Sequence, residues 1–251
     1  MRSFDDLVRE AAAVSVAGSD YSWLAGRASE ERPPWGYVRL VARRASRVRR
    51  VLDAQTGDGR VLAEAVRVAP EVLAATDNRL DLLESARRAL VPLGGVVVAA
   101  EDGVLPFRDG AFDLVVSRHP RIGSMNWSEV ARVLAPGGGY LGQHVGSGSG
   151  RELVEAMLGA QEVDDGLAER EAGAAEAAGL RVRDLRKVGL RVEFADIGAV
   201  VYLLRKIVWF VPDFAVEPYR ERLALVDKHI RAEGSFRTLA HRFLIDVRAS
   251  G

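Results

Sequence analysis

Short apolar runs alternate with longer amphipathic runs between residues 48 and 145 of the 251-residue chain. The short runs are mostly apolar on consecutive positions, as in strands covered on both faces; they are VRRVLD (48–53), EVLAAT (71–76), VVVAA (96–100), FDLVVS (112–117) and YLGQHV (140–145). Apolar residues recur at helical spacing in residues 60–69, 79–90 and 126–135. Strand–helix alternation with short connections predicts a mainly parallel sheet with right-handed crossovers.

Residues 1–47 precede this core and have a mostly helical pattern. We expect them to form an N-terminal helical cap. Its aromatic residues include Trp23 and Trp35, near Pro33 and Pro34. They either pack on the core or line a ligand cleft, and both roles are compatible.

The pattern changes after residue 150. Residues 168–180 look helical, 181–194 extended, and 241–249 like a last strand. Between the last two lies a helical insertion at about 195–235, which contains Trp209. This insertion is a candidate cover for a substrate pocket, with ordinary packing or a dimer contact as the alternative. The sequence thus predicts a cap (1–47) and one domain (48–251).

The run VLDAQTGDGR (51–60) leads from the first strand through a glycine turn into a helix. A nicotinamide dinucleotide would require G-x-G-x-x-G, but this alignment places Gln55 and Arg60 at two glycine positions. The Gly-Lys-Ser/Thr of a Walker A loop is also missing. The pattern D-x-G-x-G-x-G is met by Asp53, Gly57 and Gly59, with Gln55 replacing the first glycine.

With this turn, residues 51–145 resemble the core of a class I S-adenosylmethionine-dependent methyltransferase. Three further segments carry the resemblance. Asp77 ends the second strand, and AAEDGVLPFRDGAFDLVVS (99–117) has the family's acid, L-P-F and F-D-L-V in order. EVARVLAPGGGYL (129–141) is similar to the family's helix and glycine turn before strand five.

The resemblance implies an α/β fold with a doubly wound, Rossmann-like, seven-stranded sheet of order 3-2-1-4-5-7-6, mostly parallel with an antiparallel last strand. It also implies S-adenosylmethionine as cofactor and S-adenosylhomocysteine as product. Asp77 would accept hydrogen bonds from the ribose, and Glu101 or Asp102 from the adenine amino group. The implied cofactor-binding residues are Asp53, Gln55, Thr56, Gly57, Gly59, Asp77, Asn78, Glu101, Asp102 and Ser117.

Gln55 is the one departure from the turn pattern, and it leaves three interpretations. We expect a negative φ, with the side-chain amide facing the amino acid part of the cofactor. Alternatively, φ is positive and the residue costs on the order of 1 kcal/mol. The third interpretation is a weakened site in a protein that no longer methylates.

The acceptor is expected near the end of strand four, at SRHPRIGSMNW (117–127). Methyltransferases that act on base amino groups or on glutamine usually carry Asn/Asp-Pro-Pro-Tyr/Phe there, and its absence disfavours that substrate class. His119 is the first candidate for a general base and His144 the second, since imidazole titrates near neutrality. Each has an ordinary structural role as its alternative. No group of potential metal ligands in the sequence has the spacing of a metal site.

The chain has 35 basic and 35 acidic residues, so a general attraction to nucleic acid or membrane is not indicated. The arginine run RRASRVRR (43–50) leaves RNA as a runner-up partner. Cysteine is absent, which excludes disulfides and thiol nucleophiles. No signal peptide or apolar span is visible, so we expect a cytoplasmic monomer or homodimer.

The function that this sequence predicts is transfer of a methyl group from S-adenosylmethionine to an oxygen or nitrogen of a small molecule. The alternatives are an RNA methyltransferase and a non-catalytic protein that binds S-adenosylmethionine.

Overall fold

The computed structural model describes residues 2–162 and 164–250. Helices and strands alternate through most of this range. In chain order they are α1 (Phe4–Ala13), β1 (Ala28–Glu30), α2 (Tyr37–Ala45), β2 (Arg50–Ala54), α3 (Arg60–Ala65), β3 (Val72–Asp77), α4 (Leu80–Leu90), β4 (Val96–Ala99), β5 (Phe112–Arg118), α5 (Trp127–Val133), β6 (Leu134–Val145), α6 (Arg151–Leu158), α7 (Leu167–Ala177), β7 (Leu180–Phe194), α8 (Ile197–Lys206), α9 (Arg220–Glu233) and β8 (Phe236–Ala249).

The strands form one sheet of order β1-β7-β8-β6-β5-β2-β3-β4. Strands β2 to β6 pair in parallel, and β8 runs antiparallel to β6. The order 3-2-1-4-5-7-6 is therefore present, but the predicted count of seven strands is wrong. The eighth strand is β1, which pairs antiparallel with residues 192–194 at the edge. Three residues are too short to show an alternating pattern, so the sequence placed this segment in the helical cap.

The chain divides into two compact units. The helical unit comprises Met1–Arg32, Ser147–Asp164 and Gly189–His241, and the sheet unit comprises Pro33–Gly146, Asp165–Val188 and Arg242–Gly251. This division differs from the expected boundary after residue 47, because α2 belongs to the sheet unit. The two helices α8 and α9 lie within the predicted insertion at about 195–235.

The sheet unit has a hydrophobic cluster on each face of its sheet. Val51 and Leu114 belong to one cluster, and their chain neighbours Leu52 and Val115 belong to the other. This division follows from the strand geometry, in which successive side chains point to opposite faces. Burial on both faces explains why these strands are apolar on consecutive positions.

The helical unit has its own core. Side chains of α1 pack with those of α8 and α9, and examples are Leu7, Ile197 and Leu223. The longest helix, α9, has 14 residues. Within the described ranges, no helix combines the length and apolarity needed to cross a membrane.

Candidate functional site

A cleft lies at the carboxyl ends of the parallel strands of the sheet unit. Strand β2 has β3 on one side and β5 on the other, so the strand order reverses here. Open α/β sheets bind ligands at such a switch point. The residues that line the cleft are Ala54, Gln55, Thr76, Asp77, Ala100, Glu101, Asp102, Leu105, Met125, Asn126 and Val130. Four predicted cofactor residues, Gln55, Asp77, Glu101 and Asp102, are thus together.

Asp53 lies at the end of β2 and is buried. Its Oδ2 accepts a hydrogen bond of 2.6 Å from the Thr56 hydroxyl. Burial, together with the negative charge of Asp77, raises the pKa of the Asp53 carboxyl to about 7. No basic side chain of the described ranges pairs with it. Asp53 is therefore a buried acid without a counter-charge.

Asp77 ends β3 and is only 2% exposed. Its carboxylate accepts hydrogen bonds from two backbone N–H groups, those of Gly57 at 2.8 Å and Arg79 at 2.9 Å. The backbone N–H of Thr56 in turn donates to the carbonyl of Thr76 at 2.8 Å. These bonds attach the glycine turn to the end of β3, and they fix where the carboxylate points.

Arg121, in the segment after β5, occupies the acidic side of this cleft. Its guanidinium binds both oxygens of Asp102, and its Nη1 lies 3.6 Å from Asp77 Oδ1. One cation therefore pairs with two carboxylates that the sequence assigned to the adenine and the ribose. Glu101, the other adenine candidate, is exposed beside them.

Gln55 has φ 58°, in the left-handed region. The expectation of a negative φ is therefore wrong. Its side chain is 8% exposed and is bonded to the segment after β5. Nε2 donates to Ser124 Oγ, and Oε1 accepts from the backbone N–H of Arg121, each at 2.8 Å. These two bonds explain how a non-glycine residue is held in a strained conformation.

Two substitutions of Gln55 separate the strain from the hydrogen bonds. Both Gln55→Gly and Gln55→Ala lose the bonds to Ser124 and Arg121, but only glycine relieves the positive φ. We expect Gln55→Ala to be less stable than Gln55→Gly by about 1 kcal/mol. Urea unfolding of both variants measures this difference. Equal midpoints would show that the backbone at residue 55 is not strained.

Gly57 and Gly59, the two glycines of the turn pattern, have different surroundings. A Cβ on Gly57 would meet only Leu82 Cδ1 at 4.0 Å, so its φ of 64° is its main requirement. A Cβ on Gly59 would come within 3.1 Å of Ala86 Cα and of two Leu90 side-chain atoms. Gly59, predicted as a cofactor-binding residue, is thus required first for the packing of α3 against α4.

The same geometry predicts unequal costs for two alanine substitutions. The Cβ of Gly59→Ala meets the backbone Cα of Ala86 and the Leu90 side chain in α4, and residue 59 has φ 74°, so we expect a loss of about 3 kcal/mol. Gly57→Ala has only the backbone strain and should cost about 1 kcal/mol. Denaturant unfolding compares the two variants directly. A Gly57→Ala variant as unstable as Gly59→Ala would contradict the assignment.

The remaining predicted cofactor residues differ in position. Thr56 and Asn78 are half-buried in the loops that follow β2 and β3. Ser117 is fully buried, and its carbonyl accepts the Tyr37 hydroxyl at 2.8 Å. The structure thus places Thr56 and Asn78 at the strand ends and the Ser117 side chain inside the sheet unit.

His119 follows β5 directly and has φ 56°. Its Nε2 lies 2.9 Å from the side-chain nitrogen of Gln143. Burial and the charges of Arg118 and Arg242 hold the pKa of His119 well below its ordinary value. His119 is therefore neutral near pH 7, at the end of the strand where the acceptor was expected.

His144 lies in the core of the sheet unit and not at the cleft. It is 5% exposed, and its Nε2 is 2.7 Å from the Tyr140 hydroxyl. Its ring also contacts Phe243 and stacks parallel to Trp127. Burial lowers the pKa of His144 to about 3. This environment fits a structural histidine and offers no support for the predicted role as a base.

The three tryptophans predicted to line or cover a pocket have distinct environments. In the helical unit, Trp23 stacks on Tyr202 with ring centroids 5.1 Å apart, and Trp209 is 57% exposed. In the sheet unit, Trp35 Nε1 donates to Gln143 Oε1 at 2.7 Å. A covering role for Trp23 and Trp209 stays a prediction.

The sequence did not indicate Arg121, Ser124 or Gln143 as site residues. Gln143 had a usable signal, because it is a polar residue in the otherwise apolar strand pattern YLGQHV. Arg121 and Ser124 lie in a loop without periodicity, and only the folded chain brings them to Gln55. In residues 2–162 and 164–250, no three His, Asp or Glu side chains form a group suited to a metal ion.

Residues 51–138 match a family model described as a methyltransferase domain. No curated protein matches the chain. Among solved structures, a protein of Bacillus halodurans C-125 with a provisional methyltransferase assignment is similar at 18% identity and TM-score 0.60, covering 85% of this chain and 99% of its own. The YcgJ protein of Bacillus subtilis is similar at 17% identity and TM-score 0.59, covering 86% and 98%.

A third solved structure contains a ligand. The phosphoethanolamine N-methyltransferase 2 of Haemonchus contortus, in complex with S-adenosyl-L-methionine, is 15% identical with TM-score 0.50. The similarity covers 86% of this chain and 53% of that one. At such identities, the similarity to these structures establishes the fold.

Proposed function

We propose, from the premise that the chain is a class I S-adenosylmethionine-dependent methyltransferase, that it methylates an oxygen or nitrogen atom of a small molecule. The premise rests on the methyltransferase-domain match over residues 51–138 and on the strand order of the fold. The acceptor class is the part that we propose.

The cleft, together with Asp53 and Gly57 next to its lining residues Ala54 and Gln55, has chemistry that suits S-adenosylmethionine. This cofactor carries an ammonium and a sulfonium group, and Asp53 is a buried carboxylate without a basic partner. A Cβ on Gly57 would meet only Leu82 Cδ1, at 4.0 Å, so there is room for a ligand to approach the backbone of the turn. A cationic ligand would supply the counter-charge that Asp53 lacks. When bound, the cofactor supplies an electrophilic methyl group.

The residues of the sheet unit then have separate tasks. Asp53 holds the ammonium end, and Asp77, fixed by the backbone N–H groups of Gly57 and Arg79, accepts from the ribose hydroxyls. Asp102 accepts from the adenine amino group. Methyl transfer is an in-line displacement, so positioning of the two reactants is the main contribution of the protein.

The observation that supports a small acceptor over RNA is the pairing of the arginine run. Arg44 forms an ion pair with Asp246, Arg49 with Glu71, and Arg50 with Asp113. Three of the five arginines of residues 43–50 are thus matched by acids of the same unit. A surface for phosphate groups requires cations that are not already paired.

A labelled-methyl transfer assay tests the acceptor class. The protein is incubated with S-adenosylmethionine labelled on its methyl group and with metabolite or RNA fractions of the native host. We expect label in the low-molecular-weight fraction. Label in RNA would overturn the small-molecule proposal, and binding of cofactor without transfer to any fraction would favour a non-catalytic protein.

Arg121 gives a prediction about cofactor affinity. Its guanidinium occupies Asp102 and Asp77 in this structure, so a ligand that uses these carboxylates must compete with it. The pair is partly exposed, with Arg121 at 36%, and is therefore worth about 1 kcal/mol. We expect Arg121→Ala to bind S-adenosylhomocysteine about fivefold more tightly by calorimetry.

The matched control is Arg88→Ala, which removes an arginine that pairs with Glu84 on the exposed face of α4. This variant should bind S-adenosylhomocysteine like the wild type. Weaker binding by Arg121→Ala would mean that the guanidinium contacts the ligand instead of competing with it.

A further inference from the structure

A hydrogen-bonded row in the sheet unit joins three side chains, which are Trp35 before α2, Gln143 near the end of β6 and His119 directly after β5. Trp35 Nε1 is 2.7 Å from Gln143 Oε1, and Gln143 Nε2 is 2.9 Å from His119 Nε2. The backbone N–H of His119 also donates to the Gln143 carbonyl at 2.6 Å. Gln143, in the middle of the row, is only 3% exposed, so the geometry of its two side-chain hydrogen bonds is constrained.

The row determines which nitrogen of His119 carries the proton. The indole N–H of Trp35 is a donor only, so the Gln143 atom facing it must be the amide oxygen. The amide nitrogen therefore faces His119, and it can only donate. Nε2 of His119 must accept, which leaves the proton of the neutral ring on Nδ1.

His119 also stands in a positive environment. Arg118, at the end of β5, is exposed and forms no ion pair within the part of the chain that the structure describes. The charges that act on the His119 ring from its surroundings include Arg118 and Arg242, and both are positive. A neutral N–H donor among cations is suited to an anionic oxygen.

We propose that His119 is a hydrogen-bond donor through Nδ1–H, held in that tautomer by Gln143 and Trp35, and that it recognises an anionic oxygen group of the methyl acceptor. The acceptor is then a small molecule with a carboxylate or phosphate group. This proposal rests on the proposed function, because it assumes that the acceptor binds beyond the end of β5. It replaces the expectation that His119 acts as a general base.

The tautomer is measured by long-range nitrogen–proton NMR on protein with labelled histidine. The chain has four histidines, and His119→Asn assigns the resonances of the one in question. We expect Nδ1 protonated and Nε2 unprotonated at pH 7. A wild-type protein with the proton on Nε2 would overturn the proposal.

Two variants test the role of the row. In Gln143→Glu, the carboxylate accepts from both neighbours, so the His119 proton is expected to move to Nε2. In Trp35→Phe, the amide loses the donor that orients it, and we expect both tautomers. An unchanged tautomer in a folded Trp35→Phe variant would show that Trp35 and Gln143 do not set it.

The anion is tested with acetate and inorganic phosphate as probes, in the presence of saturating S-adenosylhomocysteine. We expect at least one of them to shift the His119 Nδ1–H resonance. The affinity for that anion, measured by this shift, should fall three- to tenfold in Arg118→Gln. The anion that binds more tightly identifies the carboxylate or the phosphate class. An equal shift with the neutral probe acetamide, or no shift with either anion, would overturn the anionic class.

The same samples separate this proposal from the proposed function. Binding of S-adenosylhomocysteine with the wrong tautomer or no anion effect would overturn only the role of His119. Absence of S-adenosylhomocysteine binding, with the tautomer as expected, would overturn the proposed function and leave the hydrogen-bonded row intact.

Discussion

Asp53→Asn is expected to make the protein more stable than the wild type at pH 8 and to lose that advantage towards acid pH. The carboxyl is buried at the end of β2, and burial raises its pKa from an ordinary value of 3.8 to about 7. Above pH 7, the wild type therefore holds a buried charge without a basic partner. An amide of the same shape has no such charge, and its oxygen can still accept from the Thr56 hydroxyl.

The direction of the pH dependence follows from two pKa values of Asp53, which are about 7 in the folded chain and the ordinary 3.8 in the unfolded chain. Between about pH 4 and pH 7, the folded wild type binds a proton at Asp53 that the unfolded chain has released. Its free energy of unfolding therefore falls as the pH rises through this window. The difference between Asp53→Asn and wild type should grow by roughly 3 kcal/mol from pH 5 to pH 8.

Denaturant unfolding at the two pH values measures this difference. Asp81→Asn, at an exposed acid of α4, controls for the loss of one carboxylate from the surface. A constant difference between Asp53→Asn and wild type across pH 5 to 8 would mean that Asp53 titrates at its ordinary pH.

The substitution Asp53→Asn should also weaken binding of the cofactor. An amide cannot supply the negative charge for an ammonium group, so S-adenosylhomocysteine is expected to bind about 10- to 100-fold more weakly to Asp53→Asn. Wild-type affinity should rise as the pH increases from 6 to 8, since ligand binding requires the ionised carboxyl. Calorimetry at several pH values checks both results, and affinity independent of pH in the wild type would contradict them.

Asp77→Ala is expected to lower the affinity for S-adenosylhomocysteine at least 100-fold. Two ribose hydroxyls donate to this carboxylate in the proposed site, and each hydrogen bond to a charged acceptor is worth about 1.5–3 kcal/mol. The substitution also removes the acceptor for the backbone N–H groups of Gly57 and Arg79. Calorimetry gives the affinity, and thermal unfolding shows how much of the effect comes from the loosened turn.

An analogue of S-adenosylhomocysteine without the ribose 2′-hydroxyl separates the two causes. In the wild type, the analogue should bind about tenfold more weakly than the parent ligand. In Asp77→Ala, the two ligands should bind equally, because the partner of the hydroxyl is gone. Glu101→Gln, at an exposed acid of the same cleft, is the control and should retain the tenfold preference. If Asp77→Ala kept the tenfold preference for the ligand with the 2′-hydroxyl, Asp77 would not be the residue that binds the ribose.

The features that the sequence predicted well are those encoded locally. The strands β2 to β6 follow from consecutive apolar positions, because the sheet is covered on both faces. The cleft follows from the strand order, and the positions of Asp53 and Asp77 at strand ends follow from the local sequence pattern. Each of these predictions depends on residues within one strand–turn–helix segment.

The features that the sequence missed depend on contacts between distant segments. Gln55 keeps a positive φ because it is bonded to Ser124 and Arg121, more than 60 residues later. Arg121 pairs with Asp77 and Asp102, which lie far from it in the sequence and are brought to it by the sheet. His144 was predicted near the cleft, and its burial is set by packing against Trp127 and Phe243, which no local pattern reveals.

The discontinuity of the helical unit has a consequence for synthesis on the ribosome. Helix α1 is synthesised before α8 and α9, but its apolar side chains Leu7, Val8 and Ala11 belong to a core that these two later helices complete. The chain must therefore emerge as far as α9 before this core can close. Until then, the nascent chain carries an unpaired amphipathic helix, the kind of surface that chaperones bind. A shortened protein that lacks α1 would leave the same core open permanently.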